Sequence, residues 1–498
     1  MLERRITMTN DKIEKYSLNA PLTLAKRMNE NDSIAPEYRN AFMRDRDRVL
    51  DSSAFRRLSG KTQIYLTGSD DHRRNRLTHT LEVSQIARTI SKALGLDEDL
   101  TEAIALGHDL GHAPFGHAGE QILHEIMVPE SRVTIKNSPM NKPDLTLNLR
   151  EDALKRQPLF GFKHNIQGVR IVSETEDSYG KDGLNLTNYT LWGIAHHSSL
   201  KYKMTRVNVR SEYLEPTYQE QYIKKYLQKD SEDLQAWSFE AYVVAVADEI
   251  AQWHHDLEDA LRSDAMTLRQ VCTQLKDNLL INLSEEDALL LENLAPKNKV
   301  YRQDLAIISR IVVNNFVSRI IDCSEANLQK LWKDFLEDNP ECTEPQNEFF
   351  KKNSWDEPKI FQAIGFKKFV EDDGKADKIG IRFGELIGNN IHHSFVVERM
   401  NAKGQYIIKK LFQAYYSHPQ QLPDSIIIHY MVFINKYETI EIAREEGTGR
   451  VRTKFADVLS NPKEFTLEYQ IYLMRYICDH IAGMTDRFAL EEYTHLYE

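Results

Sequence analysis

Apolar residues along this chain recur at helical rather than strand spacing. Val83, Ile86, Ala87, Ile90 and Leu94 step by three and four positions, which gathers them on one stripe of a helix and turns that stripe toward a core. Gly95 stops this helix, and Asp97 is placed to cap the next, whose buried face carries Leu100, Ala103, Ile104 and His108. A third long helix is predicted from about Phe239 to Leu261. Gly, Asn and Asp residues between Tyr179 and Asn188 predict a turn or short hairpin. Strand-like alternation is scarce; Ile379 to Phe383 and Gln405 to Ile408 are expected as short strands. The stretch 338–378 reads as a surface insertion. Asn339-Pro340, Glu344-Pro345 and Glu357-Pro358 punctuate it and Glu371-Asp372-Asp373-Gly374-Lys375 adds a charged run, yet Phe349, Phe350, Phe361 and Phe366 still call for burial. The expected fold class is mainly α-helical with a few short strands, and no repeats or low-complexity tracts interrupt it.

Composition narrows the class without naming a function. The chain has 498 residues, 41% hydrophobic and 28% charged, an ordinary soluble composition. No apolar run approaches the roughly 18 residues of a membrane span, and Met1 to Asn10, with Glu3, Arg4 and Arg5, offers no signal-peptide core. Cys272, Cys323, Cys342 and Cys478 lie far apart with no CxxC pair. A disulfide scaffold is therefore not expected, and a reducing cytoplasm fits. A formal charge of -11 argues against a surface that coats nucleic acid. It leaves room for a local basic pocket at Arg73, Arg74 and Arg76.

The densest chemistry runs from His108-Asp109 through His112 and His117 to Glu120. His108 and His112 are four apart, so they are expected on one helical face. Pro114 and Gly116 break that helix and let His117 re-enter from a second one, where Glu120 is its neighbour three positions on. Three imidazoles and two carboxylates in so short a stretch suit a metal site with a general acid or base beside it. Other helices must supply further ligands, and His79 and Asp248 are the candidates. Asp248 has Val244, Ala245, Ala251 and Gln252 as its helical neighbours, and a carboxylate in so apolar a stripe is costly unless it meets a cation or several donors. Glu249 reads as its solvated counterpart. Any one of these histidines alone would more commonly be a core or surface residue, and His255-Asp256 shows how readily the dipeptide recurs. The combination of an upstream helical His, a His-Asp pair and an Asp in a buried stripe carries the metal reading.

The order His79, His108-Asp109, Asp248 resembles the ligand set of the HD phosphohydrolase superfamily. Six separated stretches narrow the resemblance to the deoxyguanosine triphosphate triphosphohydrolase family. They are Arg56 to Gln63, Arg76 to Val83, the His108 to Glu120 stretch, Gly183 to Thr187, Ala247 to Ala251 with His255-Asp256, and Gly483 to Ala489. The similarity runs from about residue 44 to the C-terminus. It implies an N-terminal segment (1–43), an HD core (44–270) and a helical C-terminal region (271–498) that completes the pocket and an oligomer interface. It implies hydrolysis of a deoxynucleoside triphosphate, dGTP above others, to deoxynucleoside and intact tripolyphosphate. His79, His108, Asp109 and Asp248 would hold the metal. His117 would be the catalytic acid/base with Glu120 orienting it, Gln63 and Asp256 would contact the deoxyribose, and Arg76, His112 and His164 would surround the phosphates. His/Asp ligation favours Mn or Fe and is compatible with Co, Ni or Zn, with Mg accompanying the phosphates. Family habit adds a homo-oligomer, a hexamer or tetramer, with nucleotide effectors; neither membrane nor nucleic acid is required.

Three positions depart from the family pattern. Gln252 stands where a Tyr usually packs near C2′ of the sugar, so either Trp253 substitutes for it or sugar discrimination is built differently. His112 marks the histidine-bearing variety, some members having Asn. Trp192 replaces a common Glu. His196-His197 are open between a supporting role at the site and the surface, and Lys224-Lys225 and Lys409-Lys410 between solvated faces and an effector site. The alternative functions are an HD phosphatase or phosphodiesterase on another nucleotide and a non-catalytic nucleotide-binding regulator; product analysis separates them.

Overall fold

The computed structural model describes residues 17–29, 38–63, 74–127, 161–176, 179, 183–198, 236–280, 282–354, 357–369, 379–392, 394–434, 436–461 and 463–498. Among these residues there are 20 α-helices, and the strand-type pairings are two isolated bridges, Arg27 with Thr187 and Thr62 with Asn75. The site is framed by α1 (Ala41–Asp51), α2 (Arg76–Leu94), α3 (Glu98–Gly107), α4 (Gly116–Met127), α5 (His164–Arg170), α6 (Asn188–His196) and α7 (Phe239–Arg262). Behind and beyond these lie α8 (Arg302–Asp338), α9 (Phe395–Ser417), α10 (Leu467–Ala482) and α11 (Asp486–Tyr497).

The predicted helices appear where the stripe places them. Val83, Ala87, Ile90 and Leu94 of α2 are buried, and Gly95 ends the helix at φ 70°, a left-handed position that glycine adopts without strain. The Asp97 side chain accepts from Leu100 N at 2.8 Å and caps α3. The two expected strands are helical instead: Ile379 to Phe383 lies in the helix Ile379–Ile387, and Gln405 to Ile408 in α9. Over four or five residues an apolar run has no readable period. The longer pattern does, since Ile379, Phe383, Ile387 and Ile391 are all buried at steps of four.

In the first core α2, α3 and α7 pack on one another, with α1 behind α3 and α8 behind α7. It runs from Leu18 to Val397 and takes in Phe349 and Phe350 of the 338–378 stretch, whose rings meet Trp237 and Phe239. Phe361 stays 60% exposed, and the charged run 371–375 lies outside the described residues. In the second core α4 packs on α9 and α10, and α9 in turn on α10 and α11. Of the sequence between Tyr179 and Asn188, Gly183 (φ 64°) and Asn185 (φ 47°) turn the chain.

Long-range polar ties fix the two cores to each other. Lys61 Nζ is fully buried and donates to the carbonyls of His112 and Ala482. Asp486, at the start of α11, accepts from Thr62 N at 2.8 Å, from the Thr62 hydroxyl, and from Phe115 N at 2.8 Å. Glu240 Oε1 accepts from Ala20 N at 3.1 Å and Asp97 N at 2.9 Å, which pins the first turn of α7 to the start of α3.

Candidate metal centre

Three helix ends deliver the site. Asn75 and Thr78 form a capping box at the start of α2, so Arg76, His79 and Glu82 follow at three-residue steps along one face. α3 stops at Gly107, which leaves His108 as its C-cap and Asp109 in the turn beyond; His108 and His112 therefore do not share a helix as their spacing suggested. Packing forces the turn. A Cβ on Gly111 would stand 1.9 Å from the His164 carbonyl oxygen and 2.3 Å from Gly168 N, so the backbone there lies directly against α5. Phe115 (φ 62°) and Gly116 (φ 59°) then reverse the chain into α4.

His79, His108 and Asp248 each offer a ligand atom within 4.8 Å of the others. His79 Nε2 lies 2.9 Å from Asp248 Oδ1, and His108 Nε2 lies 3.8 Å from the same oxygen and 3.5 Å from Asp109 Oδ1. His108 Nδ1 is 2.6 Å from the Ala105 carbonyl, which places the ring hydrogen there and leaves a lone pair on Nε2. That Nε2 is buried with no hydrogen-bond partner. Burial would raise the Asp109 carboxyl, but Arg76, His108 and His112 outweigh it and hold the group well below the usual carboxylate range. Asp248 is held low in the same way, the bond from His79 and the field of His108 overriding burial. An orphaned imidazole lone pair between two ionised carboxylates suits a divalent cation with nitrogen and oxygen ligands.

Beside this trio lies a second set of groups. Arg76 Nη1 donates to Asp109 Oδ2 at 2.8 Å, and His112 Nε2 lies 3.1 Å from Asp109 Oδ1. The His112 ring stacks on His164 at 3.9 Å, and His164 Nδ1 lies 2.7 Å from Glu120 Oε2. Burial, then the charges of Arg76 and His164, keep His112 well below its usual value and so neutral. Glu120 is pulled down despite burial, by the field of His164 and the bond to it. His117 sits exposed at the first turn of α4, its ring 5.7 Å from that of His112. Asp256 is buried, with Oδ1 unpartnered and its carboxyl raised well above the usual range by burial and by Asp259 and Asp248. Gln63 is half-buried with its side-chain oxygen unpartnered. Arg73 and Lys224-Lys225 lie outside the described residues.

Several of these residues were undecided or passed over on sequence grounds. His197 belongs to the site: its Nε2 is 3.3 Å from His164 Nε2 and its ring 5.1 Å from that of His108, while His196 stacks on Trp192. Burial holds His197 down to about 3. Trp253 does not replace the missing tyrosine. Its ring stacks on Phe383 at 4.9 Å and Phe366 at 5.8 Å, deep in the first core, and Gln252 is half-buried. Glu249 has an exposed side chain, in keeping with its solvated reading. Lys61, Asp486, Glu82 and His255 lie in the stretches that carry the family resemblance, but their contacts were not legible there because their partners are remote in sequence.

An all-helical body with His79, His108-Asp109 and Asp248 at its centre is the arrangement of an HD-domain protein. The chain matches the HD domain over residues 76–252 and the phosphohydrolase-associated domain over 437–495. Within that class it belongs to the deoxyguanosinetriphosphate triphosphohydrolase-like family. It is 32% identical to the "Deoxyguanosinetriphosphate triphosphohydrolase-like protein" of Bartonella henselae over 471 residues, covering 92% of this chain and 90% of that protein. The proteins of the same name from Geobacter metallireducens (31% identical; 93% and 90% covered) and Bordetella pertussis (30%; 98% and 97%) are similar over nearly their full lengths. Among the described residues no helix is long and apolar enough to cross a membrane.

Proposed function

We propose that this protein hydrolyses deoxynucleoside triphosphates, dGTP foremost, to the deoxynucleoside and intact tripolyphosphate. The observation that carries the reading is the unpartnered, tautomer-fixed Nε2 of His108 facing Asp109 and Asp248, with Arg76, His112 and His164 gathered beside it. The names of its relatives favour a nucleotide triphosphate as substrate. His79, His108, Asp109 and Asp248 would hold a divalent ion, with Mn or Fe favoured by the mixed donor set. Such an ion neutralises phosphate charge and lowers the pKa of a water. Arg76 and the neutral His112 are placed to bind phosphate oxygens and stabilise charge that develops there. His117, at the exposed rim, delivers a proton to the departing 5′-oxygen. Glu120 and His164 hold the wall behind it, and Gln63 and Asp256 bring unpartnered acceptors to the sugar. With Trp253 turned into the core, no aromatic side chain from this part of α7 guards C2′, so ribonucleotides belong in the test. The C-terminal region completes the pocket, and the active form is a cytoplasmic homo-oligomer, hexamer or tetramer, that responds to nucleotide effectors.

The test is a product assay. Purified protein with Mn²⁺ is given each dNTP and GTP alone and then the dNTPs together, with Asp109→Ala as control. Deoxynucleoside and tripolyphosphate that vanish in the control support the proposal. Inorganic phosphate or pyrophosphate as first product, or no turnover in any mixture, overturns it.

A further inference from the structure

We propose that Glu82 and His255 form a relay that fixes the tautomer of His79 and thereby sets the affinity of the HD site for its ion. The relay rests on the reading of His79 as a ligand. His79 Nδ1 lies 3.2 Å from His255 Nδ1, and His255 Nε2 meets Glu82 Oε2. Only one hydrogen fits between two ring nitrogens. An ion can take the lone pair of His79 Nε2 only if that ring carries its hydrogen on Nδ1. His255 Nδ1 must then accept, so its own hydrogen sits on Nε2, and that N–H points at Glu82, a carboxylate that can only accept. Each atom in the chain has the role its neighbour requires. The opposite assignment puts the hydrogen on His79 Nε2, where it bonds Asp248 Oδ1 at 2.9 Å and would face the cation. It also turns a bare His255 Nε2 lone pair toward the Glu82 carboxylate, so the relay disfavours it.

The far end of the relay is anchored. Arg74 Nε donates to Glu82 Oε1 at 3.2 Å, and its Nη1 pairs with Glu258 at 2.7 Å. A carboxylate held in this way keeps His255 oriented, and hydrogen bonding behind a ligating histidine both orients the ring and raises its basicity. Glu82, His254 and His255 are close enough together to hold an ion of their own, with His254 Nε2 3.3 Å from the same Glu82 oxygen. The tautomer logic excludes that use while the HD site is filled. His255 Nε2 then bears a hydrogen rather than a lone pair, and Arg74 already occupies the other carboxylate oxygen. His255 and Glu82 are positioning residues, acting on the site through His79.

The experiment measures Mn²⁺ affinity and stoichiometry on the full chain by competition with a chromophoric chelator, with no nucleotide present. His255→Leu removes the acceptor and should weaken binding by about 10- to 100-fold. His255→Gln restores an acceptor oxygen toward His79 and should return affinity to within about threefold of wild type. Glu82→Ala, at a position one-third exposed and so of little weight in folding, should weaken binding in the same direction. Stoichiometry should stay at one ion per chain in the wild type and in His254→Ala. Unchanged affinity in His255→Leu or Glu82→Ala overturns the relay. So does a His255→Gln chain as weak as His255→Leu, which would mark a packing defect. Two ions in the wild type falling to one in His254→Ala overturns it in favour of a second site. A wild-type chain that takes up no Mn²⁺ removes the metal reading and the relay together, whereas normal uptake unaffected by the variants removes the relay alone.

Discussion

Glu240 offers a stability measurement whose size follows from the structure. Its carboxyl is fully buried, accepts two backbone N–H groups through Oε1, and leaves Oε2 without a partner. Burial, with the Asp97 charge adding to it, pushes the group up to about 7 against the opposing hydrogen bonds. Unfolded, it titrates near 4.5. Between those values the unfolded chain holds fewer protons than the folded one, so stability falls as pH rises from about 4.5 and levels off above about 7. At about 1.4 kcal/mol per unit the shift corresponds to about 3 kcal/mol. Glu240→Gln keeps an oxygen for both N–H donors and cannot ionise, so it should lack this loss. Urea unfolding of wild type and variant at pH 4 and pH 8 isolates the contribution, since other titrating groups cancel in the difference. The variant should gain about 3 kcal/mol on the wild type between the two pH values. In thermal melts, at about 2.1 cal/mol/K per residue, that is a relative shift of about 3 °C for a chain this long. A difference that does not change with pH would refute the buried, uncompensated carboxyl. The result bears on the site as well, because Glu240 lies eight positions before Asp248 on α7 and its anchorage sets where that ligand stands.

Three further outcomes follow from packing and chemistry. Gly111→Ala should cost about 3 kcal/mol or more in urea unfolding, because backbone atoms of α5 cannot yield to a Cβ placed 1.9 Å from one of them; an unchanged midpoint would refute the close approach of α5 to this turn. Asp486→Asn has one acceptor oxygen for donors that now reach both, so it should cost about 1–3 kcal/mol and lower kcat/KM; full activity and stability would remove its role in holding residues 62 and 115. His117→Ala should reduce turnover by about 100- to 10,000-fold while bound Mn²⁺ measured by elemental analysis is retained, and loss of the ion as well would sink the division between acid and ligands.

Features with a helical period are legible in the amino-acid sequence itself. The stripe from Val83 to Leu94 is the buried face of α2, the Asp97 cap is made, and Asp248 stands out because its neighbours are apolar. Short runs are not legible, which is why Ile379 to Phe383 and Gln405 to Ile408 prove helical. The His108–His112 spacing also misleads. A helix that ends one residue before the His-Asp pair looks the same in sequence as one that continues through it, and the reason it ends, the contact of Gly111 with α5, is tertiary. Trp253 and Gln252 are adjacent, and only packing against Phe316 and Phe383 shows which of them leaves the site. Glu82 and His255 fall within stretches that carry the family resemblance, but nothing local reports that they are partners, 173 positions apart.

The ties through Lys61 and Asp486 have a consequence in time. Lys61 reaches an acceptor 421 residues downstream, and Phe115 and Thr62 wait for a carboxylate 371 and 424 residues later. Chains emerge from the ribosome N-terminus first, at about 5–20 residues per second. Through much of the second half of synthesis the helices bearing His79, His108 and Asp248 are already made, while the groups that seat the loop between them and α4 do not yet exist. A buried lysine amine short of one of its two carbonyls is a penalty on closing the pocket early. The turn that carries His112 and joins the His-Asp pair to α4 therefore seats late, once residues 482 and 486 have been made, and not in step with the helices it connects.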